Sequence, residues 1–167
     1  MYLSKEKFSG VIALTPLVSI DLLVKNSEGK FLLGYRNNKP AQGNWFVPGG
    51  RILKNESMDQ AFQRLCNEEL GIDCCRNQAQ FLGPYEHFYS DCVFSDDITT
   101  HYVVLGYQIK LNHSLSQLPS EQHDLYRWFT KEEMLTNKDV HVHSRWYVEQ
   151  RQDLKLDAKI VNTRIIL

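Results

Sequence analysis

The stretch GGRILKNESMDQAFQRLCNEELG, residues 49 to 71, constrains this chain more than any other. It follows a short strand, NWFVPGG, that stops at Pro48 and two glycines. It closes on Gly71, the residue type best suited to the left-handed turn that ends a helix. Between these marks the pattern predicts a helix from about Ser57 to Leu70. At about 100° per residue, Met58, Ala61, Phe62 and Leu65 fall on one apolar stripe. Arg64, Glu68 and Glu69 are assigned to its flank, with Arg64 and Glu68 an i,i+4 pair. For the helix alone, a surface element with solvated charges is as good a reading as any. That reading leaves the entrance unexplained: VPGG, Arg51, Glu56 and Arg64, then a Glu-Glu pair ending in glycine, at fixed spacing.

Bulk properties narrow the classes. A chain of 167 residues is expected to form one domain, here residues 1–167, with a core of real size. A formal charge of −1 without blocks of like charge gives no electrostatic reason to bind nucleic acid or an anionic membrane. Phosphate would have to be held by local arginines and metal. The first ten residues, MYLSKEKFSG, lack the apolar core of a signal peptide, and no later run reaches the length of a membrane span. Cys66, Cys74, Cys75 and Cys92 show no CxxC spacing, so a reducing cytoplasm fits better than a zinc site or a disulfide framework.

Along the rest of the chain, SKEKFSGVIAL predicts a short helix, and PLVSIDLLVK turns through NSEGK into FLLGYR as a hairpin. AQFLGPYEHFYS, THYVVLGYQIKL and DLYRWFT read as strands; KEEML and VHSRWYVEQRQ read as helical. Strands and helices interleave without a strict βαβ rhythm, which favours a mixed sheet covered by helices on both faces.

The pattern at residues 50–72 resembles the Nudix box: Gly, five residues, Glu, seven residues, then Arg-Glu-apolar-x-Glu-Glu-x-Gly-apolar. Gly50, Glu56, Arg64, Glu68, Glu69, Gly71 and Ile72 match it, and Cys66 is a soft apolar match. Leu65 departs, standing where the box has glutamate. Carboxylates on one helix face suit Mg²⁺, which prefers hard oxygen ligands and keeps room for water and phosphate. The resemblance implies the Nudix α/β/α sandwich with a central mixed β-sheet.

Leu65 cannot ligate a metal, and the remainder of the chain suggests a reason. TPLVSIDLLV, FLLGYRNNKPAQGNWFVPGG, ITTHYVVLG and LPSEQHDLYRW together resemble the GDP-mannose mannosyl hydrolase family, the Nudix branch that replaces this same glutamate by an apolar residue. That resemblance implies Mg²⁺-dependent hydrolysis of GDP-mannose, or a related GDP-sugar such as GDP-glucose. The bond cleaved is between sugar C1 and oxygen, with inversion, and the expected oligomer is a homodimer. Position by position, it implies that the Gly49 carbonyl, Glu69 and Gln122 hold one Mg²⁺ per subunit (Mn²⁺ is an alternative), with His123 as the general base. Arg36, Arg51 and Arg64 are implied around the diphosphate and sugar, Arg64 also as an organiser of the box helix. Tyr102 would hydrogen-bond the leaving diphosphate, and Asp21 would sit at the sugar. Tyr2, Leu3 and Phe8 would help enclose the nucleotide. From the residues alone, Glu68 is better read as an exposed partner of Arg64 than as a ligand. His87 could line the pocket; His101, His113, His141 and His143 have no context comparable to His123.

Two further functions stay open at this stage. One is a conventional pyrophosphohydrolase that attacks phosphorus, and the other a silent nucleotide-sugar binding module in which Leu65 marks decay.

Overall fold

The computed structural model describes residues 3–111, 118–119 and 123–149. Its elements follow the sequence pattern closely. Helix α1 (Lys5–Leu14) is capped by the Ser4 hydroxyl and leads into β1 (Leu17–Lys25) and β2 (Phe31–Arg36). Strand β3 (Trp45–Phe46), strand β4 (Gly49–Arg51) and helix α2 (Met58–Leu70) come next. The long strands β5 (Gln80–Tyr89) and β6 (Thr100–Lys110) precede β7 (His123–Phe129), α3 (Lys131–Thr136) and α4 (Val142–Trp146).

Among the described residues seven strands share one mixed sheet, in the order β3-β2-β1-β6-β5, with β4 paired to β1 and β7 to β2. Strand β1 is the centre. It runs parallel to β6 along its whole length, Leu17 opposite Tyr102 through Lys25 opposite Lys110. From Ser19 to Val24 it is buried on both faces, the expected state of a central strand with parallel pairing. Ile20, Leu22 and Val24 point to one face and pack with Ala61, Phe62, Leu65 and Leu70 of α2. Leu23 points to the other, where Leu33, Phe46, Phe129, Met134 of α3 and Val148 form a second core. Helices therefore cover both faces, as expected.

Two details differ from the sequence reading. The β1–β2 hairpin pairs only near its turn, with Lys25 opposite Phe31, because β4 takes the pairing positions beside Ser19, Ile20 and Asp21. The glycines after Pro48 are thus strand, not merely a stop. Helix α4 is also shorter than VHSRWYVEQRQ suggested, ending at Trp146.

Helix α2 shows how strongly its ends were written. Ser57 and Gln60 form a reciprocal capping box, and Gly71 closes the helix at φ 66°, in the left-handed region. Its buried face is Ala61, Phe62, Leu65, Cys66, Glu69 and Leu70. Met58 is 46% exposed, since the first turn of a helix has neighbours on one side only along its axis. Glu69 is 1% exposed, so its assignment to the flank is corrected. It stands four residues after Leu65, directly along the buried stripe.

Candidate active site

A cavity of about 460 Å³ opens where β1, β4 and the middle of α2, at Arg64, Leu65 and Glu68, meet the ends of β2, β5 and β6. Strand periodicity explains which residues reach it. Ser19 and Asp21 share one face of β1, His87 and Tyr89 one face of β5, and Thr100 and Tyr102 one face of β6; all six line the cavity. Cross-strand register places His87 opposite Tyr102. Arg36, Gly49, Arg51, Arg64 and Phe8 complete most of the polar wall and the rim. The structure thus brings together Asp21, Arg36, Gly49, Arg51, Arg64, Tyr102 and Phe8 of the residues implied by sequence. Leu3 is 44% exposed and is not part of the lining. Tyr2 and Gln122 lie outside the described residues. His123 opens β7, its backbone paired opposite Arg36, at the end of β2 that lines the cavity.

Arg64 is held tightly. Its Nε donates to Glu56 Oε1 at 2.6 Å, Nη1 to Glu68 Oε2 at 2.8 Å, and Nη2 to Glu56 Oε2 and the Arg51 carbonyl, both at 2.9 Å. Glu56 also accepts the Leu53 amide at 2.8 Å. The arginine hydrogen bond holds the Glu56 carboxyl below its ordinary pKa. Box residues Glu56, Arg64 and Glu68 thereby lock the loop before α2 onto the helix, which is the organiser's role for Arg64. Arg51 stacks its guanidinium 3.8 Å from the Phe8 ring centroid, fixing α1 at the cavity rim.

Leu65 sits at the junction of cavity and core. It is 2% exposed, and a Cβ on Gly50 would stand 2.7 Å from its Cδ2. The apolar residue that replaces the box glutamate is therefore packed directly under Gly50 of β4. Gly49 is needed for a different reason: a Cβ there would lie 2.4 Å from the Ile20 carbonyl oxygen and 2.9 Å from Asp21 Oδ1. Only glycine lets β4 approach β1 at this point.

Asp21 is buried at the cavity floor. Burial is the main cause that raises its carboxyl to about pKa 7; a hydrogen bond from Tyr147 and the Arg36 charge pull it back, and Glu69 pushes it up. Arg36 lies over the Phe46 ring at 5.5 Å from its centroid. Among the described residues, the buried Nε of Arg36 and Nε2 of His87 make no hydrogen bond. Buried polar atoms without partners on a cavity wall are what a polar ligand would satisfy.

The donors available to a divalent cation fit Mg²⁺ in kind. The Gly49 carbonyl and the Glu69 carboxylate are hard oxygens, and a buried carboxylate is compensated well by a cation. Among the described residues no group of three or more His, Cys, Asp or Glu side chains converges in a metal-holding arrangement.

The histidines are the residues that sequence reasoning underrated. His87 stacks on His143 with ring centroids 4.1 Å apart and planes 8° apart, and His141 lies 4.7 Å from His143. His141 and His143 lacked context because their partners are on β5, more than fifty residues earlier. Burial is the main cause depressing all three, to about 3 for His87 and about 4 for His141 and His143. The expected consequence is a fold that loses stability in acid. A histidine with a folded pKa below the unfolded value of about 6.5 keeps its stability above that value and loses it as pH falls toward 4. The expected loss is roughly 1.4 kcal/mol per pH unit for each imidazole that only the unfolded chain protonates, less for half-buried His141, which water screens. Asp21 acts in the opposite sense, since its raised carboxyl favours the folded state more at lower pH, but it is one group against three. Denaturant midpoints between pH 7 and pH 4 should therefore fall steeply, and substituting His143 by Asn should flatten the slope.

Fold and site together define a class. The chain belongs to the NUDIX domain family, whose pattern matches residues 15–150. Among its relatives is the low-salt glycan biosynthesis protein Agl8 of Haloferax volcanii, 36% identical over 120 residues that span 72% of this chain and 75% of that protein. The fold is shared with a MutT protein from Methanosarcina mazei Go1, at TM-score 0.66 and 21% identity, covering 81% of this chain and 92% of that one. It is shared too with the NUDIX domain of Shewanella oneidensis NrtR in complex with ADP ribose, at TM-score 0.59 and 18% identity, covering 89% and 96%. Among the described residues no helix is long and apolar enough to cross a membrane.

Proposed function

We propose that this NUDIX protein hydrolyses GDP-mannose or a closely related GDP-sugar at sugar C1, releasing GDP and the sugar with inverted configuration. The observation that carries the reading is Leu65. It occupies the box position that would place a metal-holding carboxylate near phosphorus, and it is buried against Gly50 at the cavity wall. A site that loses this carboxylate yet keeps Glu56, Arg64, Glu68 and Glu69 in an ordered box is suited to a different bond. The relative from a glycan biosynthesis system supports a sugar nucleotide as substrate.

In this account the water oxygen bonds to C1 as the C1–O bond breaks, and His123 takes the water proton. GDP leaves with the bonding pair. Arg36 and Arg51 stabilise the diphosphate with forked, charge-assisted hydrogen bonds, and Tyr102 donates to it from β6. Asp21 accepts from a sugar hydroxyl at the cavity floor. Mg²⁺, held by the Gly49 carbonyl, Glu69 and Gln122, would add Lewis-acid stabilisation of the leaving diphosphate. Tyr2, Leu3 and Phe8 would contact the nucleotide in a homodimer, and the reaction would take place in the cytoplasm.

Purified protein incubated with GDP-mannose and Mg²⁺ should yield GDP. GMP would favour attack at phosphorus, and no product would favour a binding module. The substitution Leu65→Glu should not restore phosphorus chemistry. It should instead cost about 3–5 kcal/mol in urea unfolding, because an uncompensated charge enters the packed stripe. GMP as the main product of that variant would contradict the reading.

A further inference from the structure

We propose that Tyr147 is a positioning residue for this site: from outside the cavity it fixes the carboxylate of Asp21 so that its other oxygen meets the sugar. The inference rests on the GDP-sugar reading above, and the geometry that carries it is local to β1. Asp21 is flanked on both neighbouring strands by glycine, Gly49 on β4 and Gly106 on β6. The two glycines leave space for different things. On the β4 side the room is taken by the β1 backbone, with the Ile20 carbonyl oxygen 2.4 Å from where a Gly49 Cβ would stand, and by the carboxylate, whose Oδ1 would lie 2.9 Å from it. On the β6 side it is filled by aromatic rings: a Cβ on Gly106 would stand 2.9 Å from Tyr85 Cε2 and 3.0 Å from Tyr147 Cε1. Those two rings pack at 4.6 Å between centroids, tilted by 60°. The Tyr147 hydroxyl then donates to Asp21 Oδ2 at 2.8 Å.

Tyr147 is itself anchored. It follows α4 directly, and α4 is tied to the sheet by the Val47 amide donating to Ser144 Oγ at 3.1 Å. Arg145 holds the preceding loop by donating from Nε to the Val140 carbonyl at 2.9 Å and from Nη2 to that of Asn137 at 3.0 Å. Asp21 lines the cavity and Tyr147 does not. One carboxylate oxygen is thus committed to a rigid donor from behind, and the other is left to the ligand. A carboxylate held in one orientation binds a hydroxyl at lower entropic cost than one free to rotate.

The test separates the sugar from the nucleotide. Tyr147→Phe keeps the ring and removes only the donor. It should lower kcat/KM for GDP-mannose by about 10- to 100-fold, the range for a hydrogen bond to a charged group. The inhibition constant of GDP, which lacks the sugar, should stay within about twofold. Gly106→Ala, which displaces the two rings, should give the same selective loss. In an Asp21→Ala background, adding Tyr147→Phe should change kcat/KM by less than about twofold, because the acceptor it positions is gone. Equal losses for GDP and GDP-mannose, or an undiminished loss in the Asp21→Ala background, would overturn the inference. The product reports separately on the reaction: GMP in place of GDP would defeat the glycosyl reading, while the contrast between GDP-mannose and GDP would still decide the role of Tyr147.

Discussion

Replacing His123 by Gln is expected to lower kcat by about 10²- to 10⁴-fold, the contribution of a positioned general base. The residue opens β7 opposite Arg36, so its backbone sits beside a cavity wall that also carries Asp21 and Tyr102. An imidazole of ordinary pKa, about 6.5, can accept the proton of attacking water near neutrality. The acidic limb of the pH–kcat profile offers a second reading of the same variant. In the proposed mechanism two groups work without their protons: His123 as base, and Asp21, whose carboxyl burial raises to about 7. Activity should therefore fall with two-proton steepness below neutrality in the wild type, and with one-proton steepness in the variant. Near-normal turnover of the variant would remove His123 from the mechanism.

Glu69→Gln should lower activity by about 10²-fold or more and weaken Mg²⁺ binding in calorimetry, because it removes the charge from the one box carboxylate assigned as a ligand. Glu68→Gln should cost only a few-fold. The two neighbours differ in environment, and the difference motivates the contrast. Glu69 is 1% exposed on the buried face of α2, with its backbone carbonyl accepting from the Tyr126 hydroxyl at 3.2 Å. The Glu68 side chain is 41% exposed and pairs with Arg64 one turn away. Equal losses from the two substitutions would mean that the ligand assignment is wrong.

How far the sequence could be read depends on the range of the interactions involved. Helix α2 was legible to within a residue because its cap, its stripe and its terminal glycine all act within four residues. The strands were legible because alternation and β-branched runs are local too. The placement of β4 was not, since three residues pair with β1 through tertiary contact and carry no periodicity of their own. Arg36, Arg51 and Asp21 were assigned through the resemblance to a known family, Arg64 also through the box spacing, and all four line one cavity. The histidine cluster and Tyr147 were missed, because each is defined by contacts between β1 or β5 and the segment after α3. Glu69 is the instructive case. Its burial was readable from its four-residue offset to Leu65, which places it along the apolar stripe.

The position of the cleaved bond is the central claim, and water labelled with ¹⁸O reads it directly. Attack at C1 puts the water oxygen on the sugar; attack at phosphorus puts it on a phosphate. Hydrolysis of GDP-mannose by the wild-type protein in ¹⁸O-water should yield labelled mannose and unlabelled GDP, with β-mannose as the first anomer seen by NMR. Label in the nucleotide product, or α-mannose as the first anomer, would contradict the account.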